Sequence, residues 1–279
     1  MPRLAIINRF PAGHTYPLGE ALIKLGYQVQ LCQLQCVTAR DGVYVNDLPL
    51  QADVVLWRVG EKEWASAINL LATCEAQGIK TLNSSQAIAV CANKWQCHKQ
   101  LQQSGLPSVP SLLVTPGSII TPLPDRRIIK PVYGAGGEGV TELAGGESVK
   151  VSALSLLQTH LGGWENFARV NVVGGRSLGG MQRQTSPGKQ VNNLQQGGQA
   201  RVWKVPAEAE ELAMAAAAAC GTEIAAVDVV HWENKWWVLE INSSPGYSGM
   251  IELHGPAYHD HLAAAISRLL VPISRLART

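Results

Sequence analysis

Three oxygen-bearing side chains near the C-terminus have the types and spacing of a divalent-cation site. In the stretch 226–246, AVDVVHWENKWWVLEINSSPG, Asp228 interrupts one apolar run, and Glu240 and Asn242 lie two residues apart in the next. Side chains two apart on a strand leave the same face. Carboxylate and amide oxygens suit Mg²⁺, which ATP-using sites hold through one or two carboxylates and substrate phosphates. The structural alternative makes Asp228 a salt-bridge partner and Glu240 a solvated edge residue.

A lysine followed by a glycine-rich loop offers groups that hold phosphates. Lys130 ends a predicted strand and precedes the loop 131–139, PVYGAGGEG. Its ammonium group is a cation, and the four glycines leave backbone N–H groups unobstructed. The residue order differs from a P-loop, in which the lysine follows the glycines, and from a Rossmann fingerprint, which opens a helix. A glycine-rich hairpin turn is the alternative interpretation.

Further basic and amide side chains could complete such a site. Lys94 lies near the start of a predicted helix, and Arg169 and Arg183 lie on adjacent strands of a predicted hairpin. Guanidinium groups placed in this way can meet a carboxylate or a phosphate in a bidentate pair. Asn193 precedes a Gly-Gly pair by four residues. Taken singly, each of these residues is also typical of an ordinary solvated surface.

The apolar pattern predicts the elements that position these residues. Up to Asn83, strands alternate with helices, which indicates a small parallel sheet covered on both faces. The predicted strands are 4–8, 27–34, 53–57 and 79–82, and the predicted helices are 18–25 and 63–77. Asn83-Ser84-Ser85 is a helix N-cap signature.

The remainder of the chain has a different pattern, with short strands, hairpins and isolated helices. The predicted helices are 85–91, 94–103, 207–219 and 258–270, the last followed by a frayed basic tail. The predicted strands are 127–132, a hairpin of 168–173 with 177–183, and the hairpin that carries Asp228 and Glu240. Residues 141–146 are predicted to be turn-like, and 184–199 a polar loop. We expect the first unit to end near residue 83, in a chain whose length allows one large domain or two to three small ones.

Composition restricts the class of protein. The chain has 279 residues, of which 46% are hydrophobic, and a formal charge of +2. That is enough apolar sequence for real cores, and too little basic charge for an electrostatic nucleic-acid binder. The six cysteines form no CxxC pair or Cys/His zinc pattern and predict reduced thiols. With no membrane span and too short an N-terminal apolar run for a signal peptide, we expect a cytoplasmic protein.

In their order along the chain these motifs resemble the ATP-grasp superfamily, in the branch of RimK-like glutamate and amino-acid ligases. The resemblance extends from residue 4 to about residue 270, and its most specific part is the run 240–246, EINSSPG. It implies an α/β (α+β) ATP-grasp fold of three domains: a small N-terminal parallel α/β domain (1–83), linker helices with a central lid (84–161), and a C-terminal antiparallel-sheet domain (162–279). ATP would lie between the last two.

The same resemblance implies roles for individual residues. The nucleotide would contact Lys94, Lys130, Gly134, Gly136, Gly137, Gly139, Gln158 and Leu161. The magnesium ions would contact Asp228, Glu240 and Asn242. The substrates would contact Arg169, Arg183, Asn193, Ser243 and Ser244, with Arg183 and Lys130 acting in catalysis. Two positions depart from the family pattern, because Phe167 replaces an aspartate and Thr159 replaces an acid in the adenine hinge.

The function implied is an ATP-dependent carboxylate–amine ligase that forms an amide or peptide bond through an acylphosphate and releases ADP and phosphate. Its cofactors would be ATP and Mg²⁺, with Mn²⁺ as a substitute. Its partners would be small-molecule or peptide carboxylates and amines, in a monomer or homo-oligomer that contacts neither nucleic acid nor membrane. The alternative is a regulatory or scaffold protein that binds ATP on this fold without ligase activity. A Rossmann-like binding protein is disfavoured, because the fingerprint is missing.

Overall fold

The computed structural model of the protein describes residues 1–9, 15–121, 123–146, 148–162, 167–184 and 199–276. The N-terminal third contains seven described strands and two α-helices. In chain order these are β1 (Arg3–Asn8), α1 (Thr15–Lys24), β2 (Gln28–Gln33), β3 (Val37–Ala39), β4 (Val43–Val45), β5 (Leu48–Pro49), β6 (Val54–Trp57), α2 (Trp64–Ala76) and β7 (Lys80–Leu82). Short 3₁₀ helices precede β3 and α2, at Leu34–Cys36 and Glu61–Glu63.

A four-stranded parallel sheet with the order β2-β1-β6-β7 forms the centre of this region. Alternate residues of β1 serve different cores: Leu4 and Ile6 pack with α1, whereas Ala5 and Ile7 pack with α2. The predicted parallel sheet with two covered faces is therefore confirmed. Strands β3 to β5, which form a small antiparallel sheet, were not predicted, because two or three residues are too few to show a period of two.

The middle of the chain begins with two helices, α3 (Ser85–Ala92) and α4 (Lys94–Gln103). Six strands follow: β8 (Ser111–Val114), β9 (Ile119–Ile120), β10 (Arg127–Pro131), β11 (Thr141–Leu143), β12 (Val149–Lys150) and β13 (Ser155–Thr159). They form an antiparallel sheet of order β11-β10-β13-β8 and a separate pair β12-β9. The turn-like interpretation of 141–146 is wrong for its first half, since Leu143 pairs with Arg127 across the sheet. The intervening glycine loop hides that long-range pairing from the sequence.

The last third is built on a five-stranded antiparallel sheet of order β16-β15-β14-β17-β18. Its elements are β14 (Phe167–Val173), β15 (Arg176–Gln184), β16 (Gln199–Trp203), α5 (Ala207–Ala219), β17 (Ile224–Trp232), β18 (Lys235–Asn242), α6 (Ser248–His254) and α7 (Tyr258–Leu276). Both predicted hairpins are confirmed. Most of the predicted polar loop, residues 185–198, lies outside the described residues, and β16 and α6 were not predicted.

The final helix runs to Leu276, so the predicted end at residue 270 is wrong. A proline usually ends a helix at the residue before it, and position 272 is proline. Here α7 continues through it. Over its earlier turns the helix packs on α1, and the hydroxyls of Tyr27 and Ser267 lie 2.9 Å apart. The C-terminal helix thus joins the first sheet to the last.

The two faces of the five-stranded sheet have different neighbours. One face packs against α3, α4 and α5 through residues such as Val170, Val227 and Ile241. At one end of the other face, Val173 and Ile224 pack with α6 and α7. The charged residues of the predicted site lie on this second face, towards its open end. Of the described helices, none is both long and apolar enough to span a membrane.

Candidate active site

A row of charged side chains crosses the five-stranded sheet. Arg169 on β14 is paired in register with Asp228 on β17, and Asp228 with Glu240 on β18. Directly opposed residues of antiparallel strands project from the same face. Asn242, two residues beyond Glu240, projects from it as well. The hairpin therefore brings the three predicted metal ligands together.

A β-bulge beside Asp228 sets this register. The pairing steps from Asp228↔Glu240 to Val229↔Val238, so Leu239 has no directly opposed residue. Without the extra residue, the alternation along β18 would carry Glu240 to the other face. Sequence alternation alone did not indicate this bulge.

Asp228 forms a two-point ion pair with Arg169. The Arg169 Nε and Nη2 atoms donate to Asp228 Oδ1 and Oδ2 over 2.6 and 2.7 Å. Both side chains are largely buried. Asp228 is thus in a salt bridge, as the structural alternative predicted, and it also lines a cavity. Each carboxylate oxygen has two lone pairs, so the ion pair leaves room for a cation.

Glu240 differs from its two neighbours in having no hydrogen-bond or ion-pair partner in the described part of the chain. Its carboxylate makes no ion pair or hydrogen bond with any residue that the structure describes, and it is only partly exposed. Asn242 Oδ1, in contrast, accepts a hydrogen bond from the Ser244 N–H over 2.8 Å, which orders the turn after β18. The Ser244 hydroxyl is buried and unpartnered among the described residues. Glu240 and Ser244 are therefore the groups most available to a ligand.

Lys130 is a buried cation near the end of β10, with 6% of its surface exposed. The pKa of its ammonium group is lowered to about 8, chiefly by burial and in smaller part by the nearby charge of Lys94. Glu240 provides the largest opposing effect, and Asp228 a smaller one. A buried charge without a close counter-ion is costly, and a bound anion would relieve that cost. The position of Lys130 suits a phosphate.

The glycine loop lies against Lys94 and the N-terminal region. Lys94 Nζ donates to the carbonyl oxygen of Gly134. Asn93 Nδ2 donates to the Tyr133 hydroxyl over 2.9 Å, and the Tyr133 ring stacks on Trp64 with centroids 4.7 Å apart. Lys62 forms an ion pair with Glu138. These contacts hold the loop over the cavity.

The loop also has a backbone that favours glycine. Gly136, Gly137 and Gly139 all have φ between 70° and 78°, a region that other residues rarely adopt. A Cβ atom on Gly139 would lie 2.8 Å from Pro131 Cγ. At Gly139, conformation and close approach to Pro131 together account for the absence of a side chain.

A cavity of about 670 Å³ opens between the three regions, within the usual size range of small-molecule sites. Of the predicted site residues, those lining it are Lys130, Gly136, Gly137, Gln158, Leu161, Arg169, Asp228, Glu240, Asn242 and Ser244. Lys94, Gly134 and Ser243 line a smaller adjoining pocket with Glu240. Asn193 and the side chain of Arg183 lie outside what the structure describes, and Gly139 lines neither space.

The adenine-hinge prediction falls on β13 and the residues after it. Gln158 is 4% exposed, and its Nε2 donates to Ser111 Oγ over 3.0 Å. Thr159, which stands where the family has an acid, accepts a hydrogen bond from Arg127 Nη1 over 2.7 Å. The position thus carries an uncharged hydroxyl that is hydrogen-bonded to a guanidinium group. Leu161 is buried in an apolar cluster.

The second departure from the family pattern is also explained. Phe167 packs with Val109, Leu161 and Val230 in that apolar cluster. An aspartate there would bury a charge among apolar side chains. Arg169 pairs with the carboxylate of Asp228, on the neighbouring strand.

Two residues with a structural part in the site were not predicted. Asn83, read as part of a cap, is 1% exposed and makes four hydrogen bonds that join β17 to the carbonyl of Ser243. The cap of α3 is Ser84, whose Oγ accepts from the Ala87 N–H. Arg58 lies over the ring of Tyr247 and lines the cavity. The feature of the sequence that could have indicated Arg58 is its place directly after the buried strand β6, because ligands bind beyond the carboxyl ends of parallel strands.

The donors on this face suit Mg²⁺ better than a softer metal. Among the described residues no group of three His, Cys, Asp or Glu side chains could hold a metal ion. The predicted set consists of two carboxylates and an amide. Such a set would hold a hard cation only with additional oxygen ligands, and Mg²⁺ in nucleotide sites takes these from phosphates and water. The residues present fit a magnesium–nucleotide complex.

The fold is that of the ATP-grasp ligases. The chain is similar to the ATP-grasp ligase PsnB, solved with a phosphomimetic variant of its minimal precursor, Mg and ADP, with a TM-score of 0.69 and 18% identity over 94% of this chain and 97% of that one. It is also similar to the D-alanine–D-alanine ligase from Bacillus anthracis, with a TM-score of 0.70 and 14% identity over 99% of each chain. The predicted fold class is therefore confirmed.

Sequence comparison identifies the family. Residues 91–266 match the RimK-like ATP-grasp domain. The chain is 30% identical to a probable alpha-L-glutamate ligase of Stutzerimonas stutzeri (strain A1501) over 91% of each chain, and 30% identical to one of Xanthomonas euvesicatoria pv. vesicatoria (strain 85-10) over 99% of each. The protein belongs to the RimK-like ATP-grasp family. It is an ATP-dependent ligase that forms carbon–nitrogen bonds, as the sequence predicted.

Proposed function

We propose that the protein joins the carboxylate of one substrate to the amine of another in an amide or peptide bond, through an acylphosphate and with release of ADP and phosphate. One observation carries this proposal. A single cavity is lined by Lys130, by the glycine loop and by the face that bears Asp228 and Glu240. Phosphate-binding groups and cation-binding groups thus surround one space, as a phosphoryl transfer requires.

Each predicted residue has a role in this proposal. Lys130 and Lys94 bind phosphate oxygens, and Gln158 and Leu161 border the base. Asp228, Glu240 and Asn242 would hold Mg²⁺ or Mn²⁺, which offsets phosphate charge when bound. Arg169 holds Asp228 in place and faces the substrates. Arg183, Asn193, Ser243 and Ser244 complete the acceptor side.

The chemistry needs positioned charges and no protein nucleophile. An oxygen of the substrate carboxylate attacks the γ-phosphorus of ATP, the bond to the β-phosphate oxygen breaks, and ADP leaves. Lys130 neutralises charge at this centre. The substrate amine then attacks the acyl carbon, phosphate leaves, and the nitrogen loses a proton. The loop 133–139, held by Trp64 and Lys62, excludes water that would hydrolyse the acylphosphate.

The relatives suggest the first substrates to try. Two of them are named probable alpha-L-glutamate ligases, so L-glutamate is our first candidate for the amine, with a small molecule or a peptide as the carboxylate. We also propose that 1–83, 84–161 and 162–279 are the three domains, and that the enzyme works in the cytoplasm as a monomer or homo-oligomer. The sheets of the fold support these boundaries, since no described sheet crosses them.

Isotope transfer tests the proposed intermediate. Candidate carboxylates labelled with ¹⁸O are incubated with the protein, Mg-ATP and an amine, and the products are analysed by mass spectrometry. Through an acylphosphate, each amide formed gives one ADP and one phosphate that carries one ¹⁸O atom. Formation of AMP and pyrophosphate, or of unlabelled phosphate, would contradict the proposal. ATP binding without amine-dependent phosphate release from any substrate would favour the regulatory alternative.

A further inference from the structure

Arg58 is a cation of the cavity that the proposed reaction does not use. It follows β6 directly, and its N–H donates to the carbonyl of Ile7 over 2.8 Å, which fixes its backbone at the carboxyl edge of the parallel sheet. Its guanidinium carbon lies 4.9 Å from the centre of the Tyr247 ring. Tyr247 is 2% exposed and follows the turn that contains Ser244. Arg58, which directly follows a strand of the first sheet, therefore lies over Tyr247, which comes shortly after the proposed metal ligand Asn242 in the sequence.

The guanidinium of Arg58 has no acidic partner among the described residues. The two other basic residues on this wall of the cavity do have one: Arg9 lies 3.4 Å from Glu63, and Lys62 pairs with Glu138. Asp228 and Glu240 line the same cavity, yet neither forms an ion pair with Arg58. Arg58 thus brings a positive charge to the cavity that no acidic side chain of the described residues neutralises.

Its surroundings make that charge unfavourable in the free protein. The pKa of Arg58 is lowered, chiefly because burial disfavours the charged form, and only Tyr247 opposes the change. The face of an aromatic ring attracts a cation but accepts few hydrogen bonds. The five N–H donors of a guanidinium match the two oxygens of a carboxylate. An anionic ligand would therefore relieve the cost of placing Arg58 here.

We propose that Arg58, seated on Tyr247, forms a second anion subsite that binds the non-reacting carboxylate of an amino-acid substrate. This subsite is distinct from the phosphate site in its position, because Arg58 follows β6 of the first sheet and lies over Tyr247, whereas Lys130 lies on β10 of the middle region. The inference rests on the proposed function in one respect: the ligand is taken to be a substrate of the ligation. The inference adds to the proposed ligase site a residue, Arg58, that selects substrates with a free carboxylate.

Binding without turnover tests the subsite. The twenty L-amino acids, each as the free acid and as its α-carboxamide, are titrated into the protein by calorimetry with Mg²⁺ and a non-hydrolysable ATP analogue. We expect the wild-type protein to bind at least one free acid about tenfold or more tightly than its amide, as for a charge-assisted bidentate pair. In Arg58→Gln the affinity for that acid should fall to the level of the amide, while the affinity for the amide stays within about twofold.

Controls separate this effect from a general loss of structure. Arg40 also lies over a tyrosine ring, with its guanidinium carbon 4.3 Å from the centre of Tyr44, but it is exposed and does not line the cavity. Arg40→Gln should leave the preference for acids unchanged. Arg58→Lys keeps the charge and loses the planar fork, so it should retain part of the preference. If Arg58→Gln does not fold, the affinities of Arg58→Lys for the acid and for the amide are compared in the same way and test the subsite.

Two outcomes would overturn the inference. One is a wild-type protein that binds no free acid more tightly than its amide. The other is an Arg58→Gln or Arg58→Lys variant that keeps the full preference for the free acid, or whose affinities for the acid and for the amide fall equally. Neither measurement involves phosphoryl transfer. Failure of the subsite is therefore distinguishable from failure of the acylphosphate mechanism, which appears only in the isotope experiment.

Discussion

Arg169 and Asp228 face each other across neighbouring strands and share two hydrogen bonds of 2.6 and 2.7 Å. The residue predicted to bind a metal is therefore the same residue that holds a largely buried guanidinium group. A carboxylate in this position is oriented before any ligand arrives, because both of its oxygens are fixed. The pair gives the otherwise apolar sheet a rigid polar centre beside Glu240.

Breaking this pair should destabilise the fold. In Arg169→Met the carboxylate of Asp228 keeps its charge and loses its two-point partner, so we expect the free energy of unfolding to fall by about 3 kcal/mol. Urea denaturation measures this change. The matched control is Arg40→Met, which removes an exposed pair with Asp47 at 3.5 Å and should cost less than about 0.5 kcal/mol. Equal losses in the two variants would contradict a structural role for the Arg169–Asp228 pair.

Removing the charge of Glu240 should affect catalysis and spare the fold. Glu240 has no partner among the described residues, so Glu240→Gln leaves no group unpaired. We expect an unchanged melting temperature and a fall in Mg²⁺-dependent ATP turnover of about tenfold or more. The control is Glu233→Gln, in the exposed turn of the same hairpin, which should change neither quantity. A destabilised Glu240→Gln protein with normal specific activity would refute the metal site.

The affinity for ATP should fall as pH rises through the pKa of Lys130. This pKa is lowered to about 8 in the free protein, chiefly by burial, and phosphates bind the protonated form. At pH 9 about one molecule in ten carries that proton, so the affinity should be about tenfold weaker than at pH 7. Calorimetric titration at both pH values measures the change.

Variants of Lys130 supply the control for this pH dependence. Lys130→Ala should bind ATP weakly at pH 7 and show little further loss at pH 9, whereas Lys150→Ala, at an exposed position, should behave like wild type. The pH dependence of folding stability has the opposite sign to that of ATP affinity. The pKa in the folded state lies below the ordinary value of 10.5, so the Lys130 contribution to stability rises with pH between these values. An ATP affinity that is equal at pH 7 and 9 would contradict the phosphate role.

The glycine loop should open and close over the cavity. Four of its seven residues are glycines, and one of the contacts that hold it, the ion pair of Lys62 with Glu138, is exposed and weak. Chymotrypsin should cut after Tyr133, and a glutamate-specific protease after Glu138, faster in the free protein than with Mg-ATP. Trp64→Ala removes the stacking contact with Tyr133 and should speed cutting of the free protein, unlike Trp95→Ala on α4. Cutting at one rate with and without Mg-ATP would argue against a closing loop.

The sequence alone was sufficient for most of the longer local elements and for the order of the motifs. Alternating and helical apolar patterns depend on near neighbours, so they predicted the parallel sheet, both hairpins and most helices within a few residues. Because a strand has a side-chain period of two, spacing also placed Glu240 and Asn242 on one face. The spacing of Lys130 and its glycines indicated a phosphate loop for the same local reason.

Only the tertiary structure decided which distant groups meet. No pattern in the sequence selects Arg169 as the partner of Asp228, 59 residues away, or shows that Asn83 joins two backbone segments more than a hundred residues further on. The bulge at Leu239 and the contact of Arg58 with the ring of Tyr247 likewise depend on how the sheets pack. Such contacts are set by the burial of whole faces, in which each residue contributes little by itself. For that reason, local patterns predicted the types of residues in the site, and packing determined how they are paired.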